Sequence, residues 1–304
     1  MFMTKTKTLL PLLSAAVLAV CCAGPKDIEL GPYTVSVIQD HVYHIQDYNA
    51  ANPAGEAFDE QGNKTHFNNC SDIYLLVGEK EALVIDLSNP INWADNADES
   101  LRTLIRERVA DKPVTVTFTH SHGDHTGMLP ALLEMPQARF ALTQADFGRY
   151  LDRIPEERRS FIREGHVFDL GGRRLHVIST PGHTKDCIML ADVENKLLFT
   201  GDTIYPAPMY AYIEGPEMVP IYMSTVLKLA ERFSDCTLLC SHNNPIWEGS
   251  ALTEIADAFG KVLSGEVVGE HDPKTEGDNI FYRFGDFGIV LTRQAAQLYG
   301  AAYE

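Results

Sequence analysis

Three histidines and one aspartate lie within six residues of this chain. They are His120, His122, Asp124 and His125, in the pattern H-x-H-x-D-H, directly after a β-branched run. Imidazole nitrogens and a carboxylate are good ligands for a borderline-soft divalent cation such as zinc. Alternate side chains of an extended segment share a face, so His120 and His122 can point together, and Gly123 allows the turn that brings Asp124 and His125 in from a second side. The loop is therefore predicted to serve two adjacent metal ions.

Three further candidate ligands each follow an apolar segment downstream. His183 lies in a Thr-Pro-Gly-His-Thr turn, Asp202 lies in Thr-Gly-Asp-Thr, and His242 directly follows the predicted strand at 237–240 and Ser241. Pro-Gly ends a strand and presents the next side chain at its tip. Three ligands presented in series at strand ends indicate one shared site. A zinc finger is a poor alternative, because no closely spaced Cys pair accompanies the H-x-H-x-D-H loop.

The elements that must position these ligands are short apolar strands and amphipathic helices. Strands are predicted at 33–37, 42–45, 73–77, 82–85, 139–142, 167–168, 175–178, 188–190, 197–199, 237–240, 281–284 and 288–291. Helices are predicted at 98–109, 128–133, 221–233 and 252–263, with charged helices between 144 and 163. Residues 49–69 are predicted to be a loop. The order predicts two sheets with helices outside, in a single domain from 25 to 304.

In this order, the H-x-H-x-D-H loop, the P-G-H-T and T-G-D-T segments and the final strand-end histidine resemble the metallo-β-lactamase superfamily over nearly the whole chain after the leader. The resemblance implies an α/β fold, the αββα sandwich of two mixed β-sheets with helices on the outer faces and the site at one edge. It also implies seven metal ligands. These are His120, His122 and His183 for the first ion, Asp124, His125 and His242 for the second, and Asp202 bridging the two.

The resemblance extends to residues around the ligands. Asp86 matches a family position that supports the ligands from behind, although Leu87-Ser88 replaces the usual Thr-Gly after it. A bridging aspartate such as Asp202 is similar to the hydroxyacylglutathione hydrolases and lactonases of the superfamily more than to its true β-lactamases. Tyr205 matches a tyrosine of the acyl-homoserine lactonases that helps to bind the substrate carbonyl; an aromatic there could also simply pack beneath the loop.

The function implied is that of a metal-dependent hydrolase acting on a small molecule. Two zinc ions, with iron or manganese as alternatives, would share a hydroxide that attacks a lactone, ester or thioester carbonyl, while Asp124 or Asp202 carries a proton to the leaving group. The segment 205–222 is predicted to form either a substrate wall or an ordinary packed loop. A mononuclear iron enzyme similar to the persulfide dioxygenases is the alternative. A β-lactamase, a phosphodiesterase or a non-catalytic metal-binding protein ranks lower.

Composition and the first 24 residues restrict which partners and which cellular compartment are expected. The net charge of -17 argues against nucleic acid as a partner, because the protein would repel phosphate backbones. Residues 1–24 combine two lysines with an apolar run at 9–20, as an export signal does, and the run is too short to span a membrane. Cys21 and Cys22 leave open both cleavage and acylation as a lipoprotein. We expect an exported protein, either periplasmic or membrane-anchored.

Four cysteines follow the leader, namely Cys70, Cys187, Cys236 and Cys240. Cys236 and Cys240 flank a predicted strand, where residues four apart lie too far from each other for a disulfide. A domain of this size also has enough core to fold without disulfides. We therefore expect free, buried thiols. The sequence makes no prediction of oligomeric state.

Overall fold

The computed structural model of the protein describes seven parts of the chain. These parts are residues 27–47, 57–58, 64–66, 71–91, 94–242, 246–271 and 278–304. The predicted leader at 1–24, with Cys21 and Cys22, lies outside the described residues, and so does Cys70. Within the described parts of the chain, no helix combines the length and the apolar character needed to cross a bilayer.

Strands are numbered β1 to β20 and α-helices α1 to α6 in chain order. The strands are β1 (Ile28–Leu30), β2 (Tyr33–Gln39), β3 (Val42–Gln46), β4 (Ala57–Phe58), β5 (Lys64–His66), β6 (Ile73–Val77), β7 (Ala82–Ile85), β8 (Val114–Thr117), β9 (Ala138–Thr143), β10 (Arg159–Ile162), β11 (Val167–Asp169), β12 (Arg174–Ser179), β13 (Ile188–Asp192), β14 (Leu197–Gly201), β15 (Pro208–Tyr210), β16 (Thr237–Cys240), β17 (Trp247–Glu248), β18 (Glu270–His271), β19 (Asn279–Phe284) and β20 (Phe287–Thr292). The helices are α1 (Ala97–Val109), α2 (Gly123–Thr126), α3 (Leu129–Leu133), α4 (Met218–Phe233), α5 (Ala251–Leu263) and α6 (Arg293–Tyr299).

The first sheet has eight strands in the order β1-β2-β3-β6-β7-β8-β9-β10. Successive side chains of a strand point to opposite faces, and here both faces are covered. On β6, Leu75 belongs to the core that includes Leu101 of α1 and Leu132 of α3. Its neighbour Leu76 belongs to the core between the two large sheets, together with Leu190 of β13. Burial on both faces explains why the central strands are almost continuously apolar.

The second sheet has six strands in the order β11-β12-β13-β14-β16-β17. While Leu190 faces the first sheet, the adjacent Met189 packs in a core with Val226 of α4 and Phe259 of α5. The layers are therefore helix, sheet, sheet and helix. The predicted αββα sandwich is confirmed.

The prediction of two sheets was incomplete, because a smaller third sheet is present. Its four strands run in the order β15-β20-β19-β18, and β15 pairs in parallel with β20. The segment predicted as a loop at 49–69 contains the two short paired strands β4 and β5, and the rest of that segment lies outside the described residues.

The prediction of charged helices between 144 and 163 was wrong about the type of secondary structure. The chain there forms two short 3-10 helices, Gly148–Arg153 and Glu156–Arg158, and then strand β10, which pairs in parallel with β9. Pro155 separates the two turns, and Ile154 before it is extended, as the residue before a proline prefers. The charge of Arg158 is not on a solvated helix face, because its guanidinium donates to the carbonyls of Leu132, Leu133, Met135 and Ala138.

Two further features bear on the sequence predictions. Cys187, Cys236 and Cys240 are free and buried, which confirms the expectation for these three thiols. Helix α6 was missed, although its ends carry local signals. The side chain of Thr292 caps its start by accepting from the Ala295 N–H at 3.1 Å, and Gly300 ends it in a left-handed conformation.

Candidate metal centre

Five strand ends meet at one edge of the sandwich; four carry the candidate ligands and the fifth carries Asp86. In the first sheet, Asp86 directly follows β7, and the H-x-H-x-D-H loop follows the parallel neighbour β8. In the second sheet, His183, Asp202 and His242 follow β12, β14 and β16. Because parallel strands end at the same edge of a sheet, the fold concentrates these side chains there. All seven ligands inferred from the sequence resemblance fall into two neighbouring clusters.

The three-histidine cluster consists of His120, His122 and His183. Nδ1 of His122 lies 2.9 Å from Nε2 of His120 and 3.1 Å from Nε2 of His183. Three ring nitrogens this close together cannot all be paired as hydrogen-bond donors and acceptors. In a tetrahedral zinc site with bonds of ~2.0–2.1 Å, ligand nitrogens stand about 3.3 Å apart. The observed spacing therefore suits one divalent ion among the three rings.

Electrostatics favour neutral imidazoles in the three-histidine cluster. Burial lowers the pKa of all three rings: well below the usual value for His120, moderately for His122, and to about 4 for His183. Neighbouring histidines lower the pKa of each further, while Asp202 opposes the shift. Neutral imidazole is the form that binds metal, so these ligands need no proton removed at neutral pH.

The carboxylate-histidine cluster consists of Asp124, His125, Asp202 and His242. Nε2 of His125 lies 3.0 Å from Oδ1 of Asp202, and Nε2 of His242 lies 2.8 Å from its Oδ2. Oδ2 of Asp124 is 3.9 Å from the same nitrogen of His242. Asp202 also reaches the other cluster, since its Oδ2 is 3.7 Å from Nε2 of His183. One carboxylate therefore faces both clusters.

The charges of this second cluster shift pKa values in the opposite direction. Burial raises the pKa of Asp202, but the positive charges on His242 and His125 outweigh it and hold that pKa well below the usual value. Burial lowers the pKa of His125 and His242, but Asp202 outweighs it for both, and Asp86 adds to the rise at His125. Asp202 is thus ionised, and the two imidazoles tend to keep a second proton.

Two buried atoms in the carboxylate-histidine cluster test whether a metal ion fits. Nε2 of His125 and Oδ1 of Asp202 lie 3.0 Å apart, but neither makes a hydrogen bond of acceptable geometry among the described residues. A buried polar atom without a well-formed hydrogen bond costs about 1–3 kcal/mol. A divalent cation that displaced the proton of His125 would bind both atoms, so the donor set fits a metal.

Asp86 lies behind the ligands, as the sequence resemblance implied. Its carboxylate accepts from Thr119 N at 2.7 Å, from Thr119 Oγ1 at 2.8 Å and from Nδ1 of His125 at 2.9 Å. This last bond places the Nδ1 proton toward Asp86 and leaves Nε2 of His125 free to bind metal. Asp86 and His242 both have φ near +60°, which is rare for residues other than glycine and typical of backbone held under constraint at a site.

Ser88 occupies the position where the family usually has glycine. It adopts φ of 58°, the conformation that glycine would take without strain. Its side chain is fully buried and donates a hydrogen bond to Asp47, which compensates for the backbone cost. Leu87 N donates to the His125 carbonyl at 2.7 Å, so this substituted loop still holds the metal loop.

Tyr205 lies beside the centre, but its hydroxyl is engaged elsewhere. Its ring centroid is 5.6 Å from that of His242. The hydroxyl donates to the Pro208 carbonyl at 2.7 Å, and burial raises its pKa well above the usual value, so the proton stays in place. Donation to a substrate carbonyl would require this bond to break. The carbonyl-binding role of Tyr205 therefore remains a prediction.

The segment 205–222 packs directly against two of the ligand loops. The hydroxyl of Tyr222 donates to the carbonyl of Thr203, which follows Asp202. Gly182 lies against the Tyr222 ring so closely that a Cβ at Gly182 would meet the ring carbon Cγ at 2.6 Å. The Pro-Gly-His turn therefore needs glycine for this close approach. The buried Tyr222 end is a packed element; the role of the rest as a substrate wall remains a prediction.

Two polar residues that were not predicted from the sequence contact a ligand of this centre or the residue beside one. The hydroxyl of Ser71 is 3.4 Å from Oδ2 of Asp124 and donates to it. Asp146 accepts from Thr184 Oγ1 at 3.0 Å, next to His183. Asp146 follows β9, a strand parallel to β8, so its position after a strand end is a signal of the same kind as that of the ligands. No comparable local signal marks Ser71.

Comparison with known proteins agrees with this geometry. The sequence profile of the metallo-β-lactamase superfamily matches residues 71–279. A hydroxyacylglutathione hydrolase of Rhodopseudomonas palustris is 31% identical over 136 residues, which is 45% of this chain and 51% of that protein. An atrochrysone carboxyl ACP thioesterase of Aspergillus novofumigatus is 27% identical over 201 residues, 65% of this chain and 54% of that protein. Among solved structures, a β-lactamase domain protein from Burkholderia ambifaria gives a TM-score of 0.57 at 16% identity, covering 77% of this chain and 75% of that one.

The chain belongs to the metallo-β-lactamase superfamily, whose members include metal-dependent hydrolases. The structural likeness at this low identity shows the fold alone. The chain spans about half the length of the curated relatives it matches. Its two clusters are metal-binding sites of the kind that the superfamily carries.

Proposed function

We propose that this chain is a di-zinc hydrolase that cleaves the acyl carbon–sulfur or carbon–oxygen bond of an acyl thioester, an ester or a lactone. The observation that carries the proposal is the position of Asp202. Its Oδ2 lies 2.8 Å from Nε2 of His242 and 3.7 Å from Nε2 of His183, so the carboxylate faces both clusters. A structural zinc site is closed by four ligands, whereas seven candidate ligands, one of them a shared carboxylate, support an open centre of two ions.

Bound zinc would lower the pKa of water to supply a nucleophile and would polarise the substrate carbonyl. The solvent exposure of each side chain suggests whether it orients the ligands or transfers a proton. The Asp202 side chain is only 6% exposed, which suits a residue that fixes geometry. The Asp124 side chain is 28% exposed, so of these two carboxylates it is better placed to carry a proton to a leaving group. Asp86 keeps the Nδ1 proton of His125 in place and orients that ring.

The names of the relatives support the choice of an acyl thioester as the bond that is cleaved. One relative is named for hydrolysis of hydroxyacylglutathione and another is named an ACP thioesterase. These names favour an acyl thioester over the lactone that the position of Tyr205 suggests by resemblance. The engaged hydroxyl of Tyr205 also weakens the lactone argument. We therefore place thioesters and open-chain esters before lactones.

The predicted leader adds a location to the proposal. Residues 1–24 have the order of a signal peptide or lipoprotein leader, so the enzyme is proposed to act outside the cytoplasm. Fractionation of the producing cells, with mass spectrometry of the mature N-terminus, tests this directly. Full-length protein in the cytoplasm would contradict the export proposal and leave the chemistry untouched.

The chemistry is tested by metal analysis followed by a substrate panel. We expect close to two zinc ions per chain and hydrolysis of at least one acyl thioester or ester, with β-lactam and phosphodiester cleavage much slower. The matched control is the same preparation after chelation and dialysis, which should regain activity when zinc is restored. One bound iron per chain with oxygen consumption on a persulfide would replace the proposal with the dioxygenase alternative.

A further inference from the structure

We infer that Asp146 is a positioning residue that sets the geometry of the three-histidine cluster. This inference rests on the proposed function insofar as it assumes that the cluster binds a metal ion. Asp146 lies after β9 of the first sheet, three residues beyond the strand end at Thr143. It is not one of the seven candidate ligands.

One carboxylate lies between the two segments that supply all three histidines. Asp146 accepts a hydrogen bond from Thr184 Oγ1 at 3.0 Å. Burial raises the pKa of the Asp146 carboxyl, and the Thr184 hydroxyl and the nearby backbone N–H of Ser121 oppose that rise. Ser121 stands between His120 and His122 in the loop of the first sheet, and Thr184 directly follows His183 in the loop of the second sheet. The spacing between the histidines of the two sheets therefore depends on a side chain that is bonded to Thr184 and lies near Ser121.

The carboxylate is itself held in place from the opposite direction. Oδ2 of Asp186 accepts from Ala145 N at 2.9 Å and from Asp146 N at 3.3 Å. The segment at 145–146 and the segment at 184–186 thus hold each other reciprocally. A carboxylate whose own backbone is held by the segment that it binds can act as a spacer between the two segments.

The three-histidine cluster needs such a device more than its neighbour does. The His125 ring is oriented directly by Asp86, through a hydrogen bond to Nδ1. By contrast, Nδ1 of His183 is buried and has no hydrogen-bond partner among the described residues. No bond at Nδ1 holds the ring of His183, so its position depends on the backbone around Thr184. Asp146 restrains that backbone through its hydrogen bond to the Thr184 side chain.

Removal of Asp146 should therefore weaken zinc binding at the three-histidine cluster without removing a ligand. Residues that orient metal ligands typically contribute roughly 10- to 100-fold to metal affinity. We expect Asp146→Ala to fall in that range. Asp146→Asn keeps one acceptor oxygen, so it should lose less. Thr184→Val removes the hydroxyl that donates to Asp146 but leaves the carboxylate near Ser121, so it should lose less than Asp146→Ala.

The test measures zinc dissociation constants of the full chain by competition with a chromophoric chelator. The absorption spectrum of the Co²⁺-loaded protein reports ligand geometry, and thermal unfolding of the metal-free protein reports the fold. We expect Asp146→Ala and Thr184→Val to weaken zinc binding at the three-histidine cluster and to change the Co²⁺ spectrum. Thr184→Ser, which keeps the hydroxyl, should recover most of the affinity lost in Thr184→Val. Asp257→Ala, an exposed carboxylate on α5, is the matched control and should match the parent.

The double variant makes the test specific to the hydrogen bond. Because both changes remove the same contact, the losses of Asp146→Ala and Thr184→Val should not add in full. Fully additive losses, or parental affinity in Asp146→Ala, would overturn the inference. If Asp146→Ala does not fold, the Thr184→Val and Thr184→Ser pair decides the question. A parent protein that binds no zinc would instead overturn the proposed function.

Discussion

The two halves of the metal centre present similar ligand atoms in opposite electrostatic surroundings. In the three-histidine cluster, burial and neighbouring imidazoles lower the pKa of every ring, so the ligands are already neutral. In the carboxylate-histidine cluster, Asp202 raises the pKa of His125 and His242 above the usual value. A metal ion entering the first cluster displaces no protons at neutral pH, whereas an ion entering the second must displace them.

The largest effect should come from the residue that the two halves share. Asp202→Ala removes a ligand atom from both clusters and leaves the fold intact, because Asp202 follows the end of β14 and is not part of an apolar core. We expect kcat/KM on the best substrate to fall by more than about 100-fold, beyond the loss typical of a residue that only orients a ligand. Steady-state kinetics and metal content check this. Parental kcat/KM with full metal content would show that Asp202 is not the bridge.

The pH dependence of metal content should separate the two halves. As the pH falls through the raised pKa values of His125 and His242, these imidazoles take up protons, and protons compete with the metal. The pKa values of the three-histidine cluster are lowered, so its ligands are protonated only at lower pH. Equilibrium dialysis at a series of pH values should show zinc falling from about two to about one per chain before the last ion is lost. Loss of both ions in a single step would contradict the distinction.

Substitution of Asp86 should affect mainly the carboxylate-histidine cluster. Asp86→Asn weakens the acceptor for Nδ1 of His125 and should lower zinc affinity of the carboxylate-histidine cluster roughly 10- to 100-fold. The three-histidine cluster should change less, because among the described residues Asp86 reaches it through Thr119 and not by a direct hydrogen bond. Stepwise zinc titration resolves the two constants. An equal loss at both sites would mean that Asp86 supports the whole centre.

The sequence predicted those parts of the centre that are local in the chain. The H-x-H-x-D-H loop and the strand-end His183, Asp202 and His242 needed only short motifs and strand periodicity. Contacts between distant segments could not be predicted in this way. Thr184 and Asp146 are 38 residues apart, and Ser71 and Asp124 are 53 apart, so their hydrogen bonds exist only because two strand ends meet. Likewise, the charged residues at 144–163 suggested helices because their tertiary partners, such as the carbonyls around Leu133, are invisible in the sequence.

The smallest effect concerns Tyr205, which borders the carboxylate-histidine half through His242. Its hydroxyl donates to the Pro208 carbonyl at 2.7 Å, so its one proton is already engaged. Tyr205→Phe should therefore cost about 1 kcal/mol of unfolding free energy, the usual contribution of one hydrogen bond. Turnover should fall by less than about threefold, because a transition-state donor would contribute tenfold or more. The measurement pairs thermal unfolding with kcat on the best ester or thioester, and Tyr210→Phe, a change at a tyrosine of the neighbouring strand β15, is the comparison variant. A tenfold loss of kcat in Tyr205→Phe at unchanged metal content would restore the carbonyl-binding role that the resemblance to lactonases implied. That result would also mean that the bond to Pro208 breaks when substrate binds.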